Sequence, residues 1–243
     1  MLKSSLLKML EESKYTVVLS GVGMVLENGY STLRDSDDSY EIEEKYGYSV
    51  DELYCSALFN TRPGLFFEFY RNEILSQIDI PPGDGYKFLA QMEKDGLVDA
   101  VITRRVFALP ERAGCKNVVN LHGTVYDNYC PSCERTFPVS YIRESKKVPL
   151  CPDCNTTVRP KVCLLGEMVD NAQMTRAAEE VEKADVLLAL GTNLHTPLCN
   201  QMIQYYDGDK LILITKNKHF SDKAADYVIY SRVDEALKTL LYK

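Results

Sequence analysis

Residues 15–23 read Tyr15-Thr-Val-Val-Leu-Ser20-Gly21-Val-Gly23, a short β-branched run that ends in two glycines. Nearly every side chain in the run is apolar, which fits a strand buried on both faces, as in a parallel sheet. Glycine directly after such a strand lets backbone approach a phosphate closely and leaves the next helix's N-terminus facing negative charge. The full dinucleotide pattern requires a third glycine three residues on. Leu26 stands there, so the turn is a glycine-rich one without that fingerprint.

Outward from this stretch the pattern repeats. Upstream, Leu2, Leu6, Leu7, Met9 and Leu10 recur at mostly helical spacing, which predicts an amphipathic helix over residues 2–13. Downstream, Asp99-Ala-Val-Ile-Thr103, Val118-Val-Asn-Leu121, Val186-Leu-Leu-Ala-Leu190 and Lys210-Leu-Ile-Leu-Ile214 read as further short buried strands. Helices are expected at 86–95, at 171–183, between the last two strands, and over 234–241. Strands alternating with helices argue for an α/β fold built on a Rossmann-like parallel sheet. Gly191-Thr192-Asn193 follows the strand ending at Leu190, at the carboxyl end where such sheets bind ligands.

The chain has 243 residues, 45% of them hydrophobic and 26% charged, enough for one sizeable core and a smaller module. Its formal net charge of -7 argues against non-specific binding to nucleic acid or to anionic membranes. No stretch of about 18 apolar residues suggests a membrane span, and the N-terminal residues lack a signal-peptide pattern. Eight cysteines without such a signal favour a cytoplasmic protein with a metal site and reduced thiols.

Four of those cysteines fall in residues 127–158, a stretch with little helical periodicity. Cys130-Pro-Ser-Cys133 and Cys151-Pro-Asp-Cys154 are two knuckles whose spacing matches a zinc ribbon. Each knuckle aims two thiolates at one point, and two knuckles fill the four tetrahedral positions of zinc. No position is left for water, so the metal is expected to be structural.

His122 follows a predicted strand and precedes Gly123, where an imidazole can serve as a general base near neutral pH. His195 and His219 have no comparable setting. Residues 35–54, dense in acids and tyrosines, read either as a solvated helical face or as a mobile loop over a cofactor.

Taken in order, these motifs resemble those of the sirtuins, the NAD-dependent protein deacylases. Residues 21–34 are similar to the family's stretch G-A-G-I-S-x-x-S-G-I-P-D-F-R, with Gly21, Gly23, Gly29 and Arg34 matching. Residues 113–123 follow the pattern A-G-x-x-x-V-x-x-L-H-G, which lays His122 on the family's catalytic base. Residues 159–167 resemble R-P-x-V-V-x-F-G-E, the border of the acyl-lysine channel, and Gly191-Thr192-Asn193 resembles the NAD-contacting G-T-S. The resemblance implies a Rossmann-like NAD domain over 1–35, 81–126 and 159–243. It also implies a small domain made of a helical insertion at 36–80 and the zinc module at 127–158. NAD would be held by Gly21, Val22, Gly23, Glu27 and Arg34 from the first turn. Arg104, Arg105 and Val106 would join them, with Gly191, Thr192, Asn193 and Thr215 from the later strands. An acyl-lysine protein or peptide would run along Val162, Cys163, Leu164, Leu165, Gly166 and Glu167. In the implied reaction the acyl oxygen attacks C1′ of the nicotinamide ribose and expels nicotinamide. His122 takes a proton from a ribose hydroxyl, and water completes release of the amine and of O-acyl-ADP-ribose.

One segment departs from the family. T-Q-N-I-D-G-L-H aligns with residues 103–110, where Arg105 and Phe107 replace the asparagine and aspartate that position ribose, water and the nicotinamide amide. Thr32 and Leu33 replace a further aspartate and phenylalanine. Phenylalanine cannot accept the amide's hydrogen bond, and arginine adds a fixed cation. The nicotinamide side is therefore expected to be rebuilt. Three readings stay open: a divergent deacylase, a non-catalytic NAD or ADP-ribose sensor, and a mono-ADP-ribosyltransferase.

Overall fold

In a computed structural model, residues 2–34 and 36–241 are described. Thr16–Ser20 forms β1, with all five residues buried. It lies at the centre of a six-stranded, all-parallel sheet, between β2 (Ala100–Thr103) and β7 (Val186–Leu190). Outside them lie β3 (Val118–Asn120) on one edge, and β8 (Leu211–Thr215) then β9 (Tyr227–Tyr230) on the other. The expected strands are all present, and β9 is an addition that the sequence reading did not anticipate.

Alternation along the strands fills two cores. Val18, Val101, Leu188 and Ile212 face one helical layer, with Leu6, Leu10, Leu89, Met92 and Leu237. Val17, Leu19, Ile102, Leu187 and Leu213 face the other, with Ala177, Val181, Cys199 and Met202. Helices on both faces explain why these strands read as unbroken apolar runs. The expected helices form at Leu2–Glu12, Asp84–Lys94, Asn171–Glu182 and Val233–Leu241, with Pro197–Met202 between β7 and β8.

The strand order places β1 and β7 side by side, while their connections run to opposite halves of the sheet. This is a topological switch point, where a doubly wound sheet opens a crevice at its carboxyl edge. The turns after the two strands meet there. Gly21 N–H donates to Leu190 O at 2.9 Å and Gly23 N–H to Gly191 O at 2.7 Å. A Cβ at Gly23 would lie 2.7 Å from Gly191 O, so only glycine lets the two backbones come this close.

A second, antiparallel sheet is formed by β4 (Gly123–Tyr129), β5 (Thr136–Phe137) and β6 (Arg159–Val162). Two expected boundaries fall within it: β4 runs across residue 126, and β6 starts at residue 159, yet they pair with each other. The segment 127–158, with little helical periodicity in its sequence, carries one short helix at Val139–Arg143. Residues 36–80 are largely helical, and Phe66, Phe67, Phe69 and Tyr70 bury their rings completely. Ser36–Tyr46 and Val50–Leu53 are helices within the stretch read as a solvated face or cofactor loop. Asp35, where that stretch begins, lies outside the described residues.

Gly191 has φ +58°, and a Cβ on it would sit 2.6 Å from Met24 N. Gly29 has φ +81° but open space around it. Gly29→Ala should therefore cost about 1–2 kcal/mol, for the left-handed backbone alone. Gly191→Ala adds a backbone clash and should cost at least about 1–3 kcal/mol more in urea unfolding. Equal losses in the two variants would show that the two turns do not need their close contact.

Candidate active site and metal centre

β2 ends at Thr103, so Arg104 and Arg105 leave the sheet at its carboxyl edge. Thr103 Oγ1 accepts from Arg105 N–H at 3.1 Å and donates to Ser20 O at 3.2 Å, tying this exit to β1. Next to it, Leu121 N–H donates to Thr103 O, which carries β3 one residue further and delivers His122 to the same edge. There Arg104 Nε–H donates to His122 Nε2 at 2.8 Å. A nitrogen that accepts from a guanidinium holds no hydrogen of its own, so neutral His122 keeps its proton on Nδ1.

Burial, with the charges of Arg104 and Arg105 behind it, pushes the His122 pKa down to about 4. The imidazole is thus neutral throughout the physiological range. Burial also lowers the pKa of both arginines. No carboxylate pairs with either guanidinium among the described residues.

His122 stands between two cavities. The first, about 500 Å³, is lined by Val22, Arg34, Arg104, Arg105, Val106, Phe107, His122 and the segment Cys163–Glu167. The second, about 690 Å³, opens on the other side, along Gly123, Thr124, Lys161, Val162, Cys163 and Met168. Gly123 sets this arrangement. It has φ +67°, and a side chain there would collide with Lys161 O. Without one, β4 pairs closely with β6, and His122 O accepts from Cys163 N–H at 2.9 Å. The helical insertion clamps the same segment from outside, through Tyr54 O from Leu165 N–H and Ser56 N–H to Leu165 O. Glu167 closes the loop by accepting from Leu164 N–H at 2.9 Å and pairing with Arg159.

Several expected cofactor residues lie elsewhere. Gly21, Gly23 and Gly191 touch one another rather than the imidazole, because backbone contact across the switch point consumes their free space; Val22 between them reaches the His122 cavity. Thr192 turns its hydroxyl toward Thr196, and Asn193 accepts from His195 N–H. Thr215 is buried at the end of β8. Apart from Val22, none of these lines the first cavity, although all sit on the same sheet edge. Glu27 does different work. Its carboxylate accepts from Val233 N–H at 2.9 Å and so caps the last helix. Val162 lines the second cavity, not the first. Arg34 is held by Asp51 at 2.8 Å on the cavity rim.

Sequence reasoning missed Tyr54 and the role of Phe107. Tyr54 lines the first cavity with a buried hydroxyl that has no partner. Phe107 packs its ring 4.6 Å from that of Tyr30, so the wall is hydrocarbon where the motif's aspartate would stand. The aromatic richness around Tyr54 was the available signal, but it did not single out one tyrosine.

The metal centre is built from two like turns. Cys130 O accepts from Glu134 N–H and Cys151 O from Asn155 N–H, and Glu134 (φ 61°) and Asn155 (φ 58°) are both left-handed. Each turn folds its two cysteines toward the other pair. All four sulfurs lie within 4.8 Å of one another and all are free thiols. Separations of 3.2, 3.6 and 3.9 Å approach the ~3.8 Å expected between sulfurs bound tetrahedrally to zinc. The quartet fits that ion and offers no fifth ligand.

Comparison with known proteins gives a consistent picture. A family model described as "Sir2 family" matches residues 21–197. The NAD-dependent protein deacetylase of Clostridium acetobutylicum is 30% identical over 239 residues, covering 98% of this chain and 97% of the relative. A structure concerned with sirtuin substrate affinity superposes with a TM-score of 0.88 at 29% identity, covering 98% of this chain and 97% of its own. A Sir2 complex with a p53 peptide and NAD+ gives 0.84 at 29% identity, covering 99% and 98%.

Two outcomes follow from this geometry. Purified protein should carry about one zinc per chain, and a strong chelator should melt it at lower temperature; metal-free protein with an unchanged melting point would remove the structural role. The unfolded chain binds a proton at His122 near pH 6.5, the folded chain only near 4. Stability from this residue is therefore complete above pH 6.5 and is lost as pH falls toward 4. His122→Gln should show a shallower decline across that window in thermal melts, and parallel curves would contradict the low pKa.

Proposed function

Because the chain belongs to the Sir2 family, we infer that it is an NAD-dependent protein deacylase acting on acyl-lysine in a peptide or protein. The observation that carries the reading is a neutral, half-buried imidazole standing between two cavities, with its Nε2 lone pair directed at a neighbouring donor. NAD, when bound, supplies an electrophilic ribose carbon with nicotinamide as leaving group, and ribose hydroxyls that can give up a proton.

The chain's own residues supply the rest. His122 Nε2 takes the hydroxyl proton, and Nδ1–H keeps the ring in that tautomer. The first cavity accepts the reacting end of the cofactor, with Val22 and Val106 on its walls and Arg34 at its rim. Gly21, Gly23, Gly191, Thr192, Asn193 and Thr215 lie along the carboxyl edge of the sheet, where the remainder of a dinucleotide would extend. The peptide lies along Cys163–Glu167, where exposed Leu165, with Met168 just beyond the segment, offers apolar contact. Cys130, Cys133, Cys151 and Cys154 would hold a zinc ion, which would tie the ends of β4 and β6 together away from the His122 imidazole. The reduced thiols agree with a cytoplasmic setting.

A second reading, a protein that binds ADP-ribose without turnover, draws on one observation: Arg104 already occupies the lone pair that the base must use. Nicotinamide release from NAD with an acetyl-lysine peptide decides between them. The deacylase reading expects release coupled to peptide deacylation, falling on the order of 10²–10⁴-fold in His122→Ala. Calorimetric binding of ADP-ribose with no release across a panel of acyl peptides would favour the second reading.

A further inference from the structure

Among the described residues, two guanidinium groups enter the first cavity without a carboxylate to receive them. Arg105 is largely buried, and only its backbone N–H is bonded, to Thr103 Oγ1. Arg104 spends its Nε–H on the neutral ring of His122. The other charges that face this space are already matched: Arg34 by Asp51, and Glu167 by Arg159 and Leu164 N–H. On the same wall, the buried Tyr54 hydroxyl has no acceptor. A buried cation without a counter-charge is costly, and the cost is recovered when an anion enters. A guanidinium fork receives a carboxylate through two parallel hydrogen bonds.

Leu164 and Leu165, assigned above to the acyl-lysine path, line this same cavity. We propose that Arg104 and Arg105 form a carboxylate subsite, and that the preferred substrate is lysine bearing a short acyl chain that ends in a carboxylate. The proposal rests on the deacylase reading. It also removes the difficulty that Arg104 poses. A carboxylate competes for the Arg104 guanidinium far better than a neutral imidazole does, since it adds an opposite full charge and can accept two parallel hydrogen bonds from the fork. When Arg104 turns to the carboxylate, the Nε2 lone pair of His122 is released. An acidic chain thus pairs with the buried cations and also frees the base, whereas an uncharged chain of equal length does neither. Arg104 is in this sense a positioning residue for His122, and Arg105 a specificity-determining one.

The test uses the full zinc-loaded chain, NAD, and one peptide carrying succinyl-lysine or butyryl-lysine, which match in carbon count. Succinyl turnover should exceed butyryl by about tenfold or more in kcat/KM, the worth of one charge-assisted hydrogen bond. In Arg105→Gln that ratio should fall to within about threefold of one. In Arg104→Gln the ratio should fall as well. The acid limb of the kcat/KM–pH profile should also move up toward the ordinary imidazole range, a change that loss of packing alone would not produce. Butyryl turnover equal to or faster than succinyl in the wild type, with the ratio unmoved in Arg105→Gln, would overturn the subsite while leaving the deacylase reading intact. Should no acyl peptide turn over, the deacylase reading fails by itself. Calorimetry with the same two peptides and ADP-ribose then decides the subsite: tighter succinyl binding that Arg105→Gln abolishes supports it, and equal binding refutes it. A free carboxylate is the other source of the same chemistry. Acetyl-peptide turnover that rises on adding millimolar succinate or nicotinate, and fails to rise in Arg105→Gln, would assign the subsite to a free acid instead of the acyl chain.

Discussion

Everything at this site depends on two glycine turns touching at the switch point. Gly23 N–H meets Gly191 O at 2.7 Å because neither residue has a side chain to hold the backbones apart. That contact fixes the carboxyl ends of β1 and β7 in register. β2 and β3 are built outward from β1 in parallel, so their ends open on the same edge. Arg104, Arg105 and His122 are simply the next residues along these strands. Their convergence follows from strand register, and no long-range search by flexible loops is needed.

A second constraint couples this edge to the small antiparallel sheet. Gly123 adopts a backbone conformation that a larger residue resists, and it lets β4 lie directly against β6. His122 is consequently bonded through its carbonyl to Cys163, the first residue of the cavity-lining segment that ends at Glu167. His122 and the segment Cys163–Glu167 are thus neighbours in one hydrogen-bonded frame, and the cysteine quartet lies at the far end of β4. His122 and Cys130 flank the two ends of that strand, so the imidazole and the metal-binding thiols stay apart.

Much of this was legible in the chain itself. Paired Cys-x-x-Cys knuckles can serve few purposes, and unbroken apolar runs of five residues announce strands covered on both sides. His122, at a strand end beside a glycine, admitted a general base, but it was the resemblance of residues 113–123 to a sirtuin motif that singled it out. Other features depended on distant partners. Glu27 sits one turn beyond the glycines and looks like a cofactor ligand, yet it caps a helix more than 200 residues away in sequence. Tyr54 belongs to an insertion whose helices give no hint of which ring faces the cavity. Arg105 and Phe107 were visible as departures from a motif, but only the coordinates reveal that one is a cation lacking an anion and the other a ring packed on Tyr30.

The central claim is that Arg104 holds the lone pair of His122, while burial, with the charges of Arg104 and Arg105 behind it, keeps the ring neutral. Nitrogen-15 NMR of histidine-labelled protein measures this directly, with His122→Gln identifying the signal. A bare, hydrogen-bond-accepting Nε2, a protonated Nδ1 and a titration midpoint near 4 are the expected result. A midpoint near 6.5, or a hydrogen found on Nε2, would contradict it.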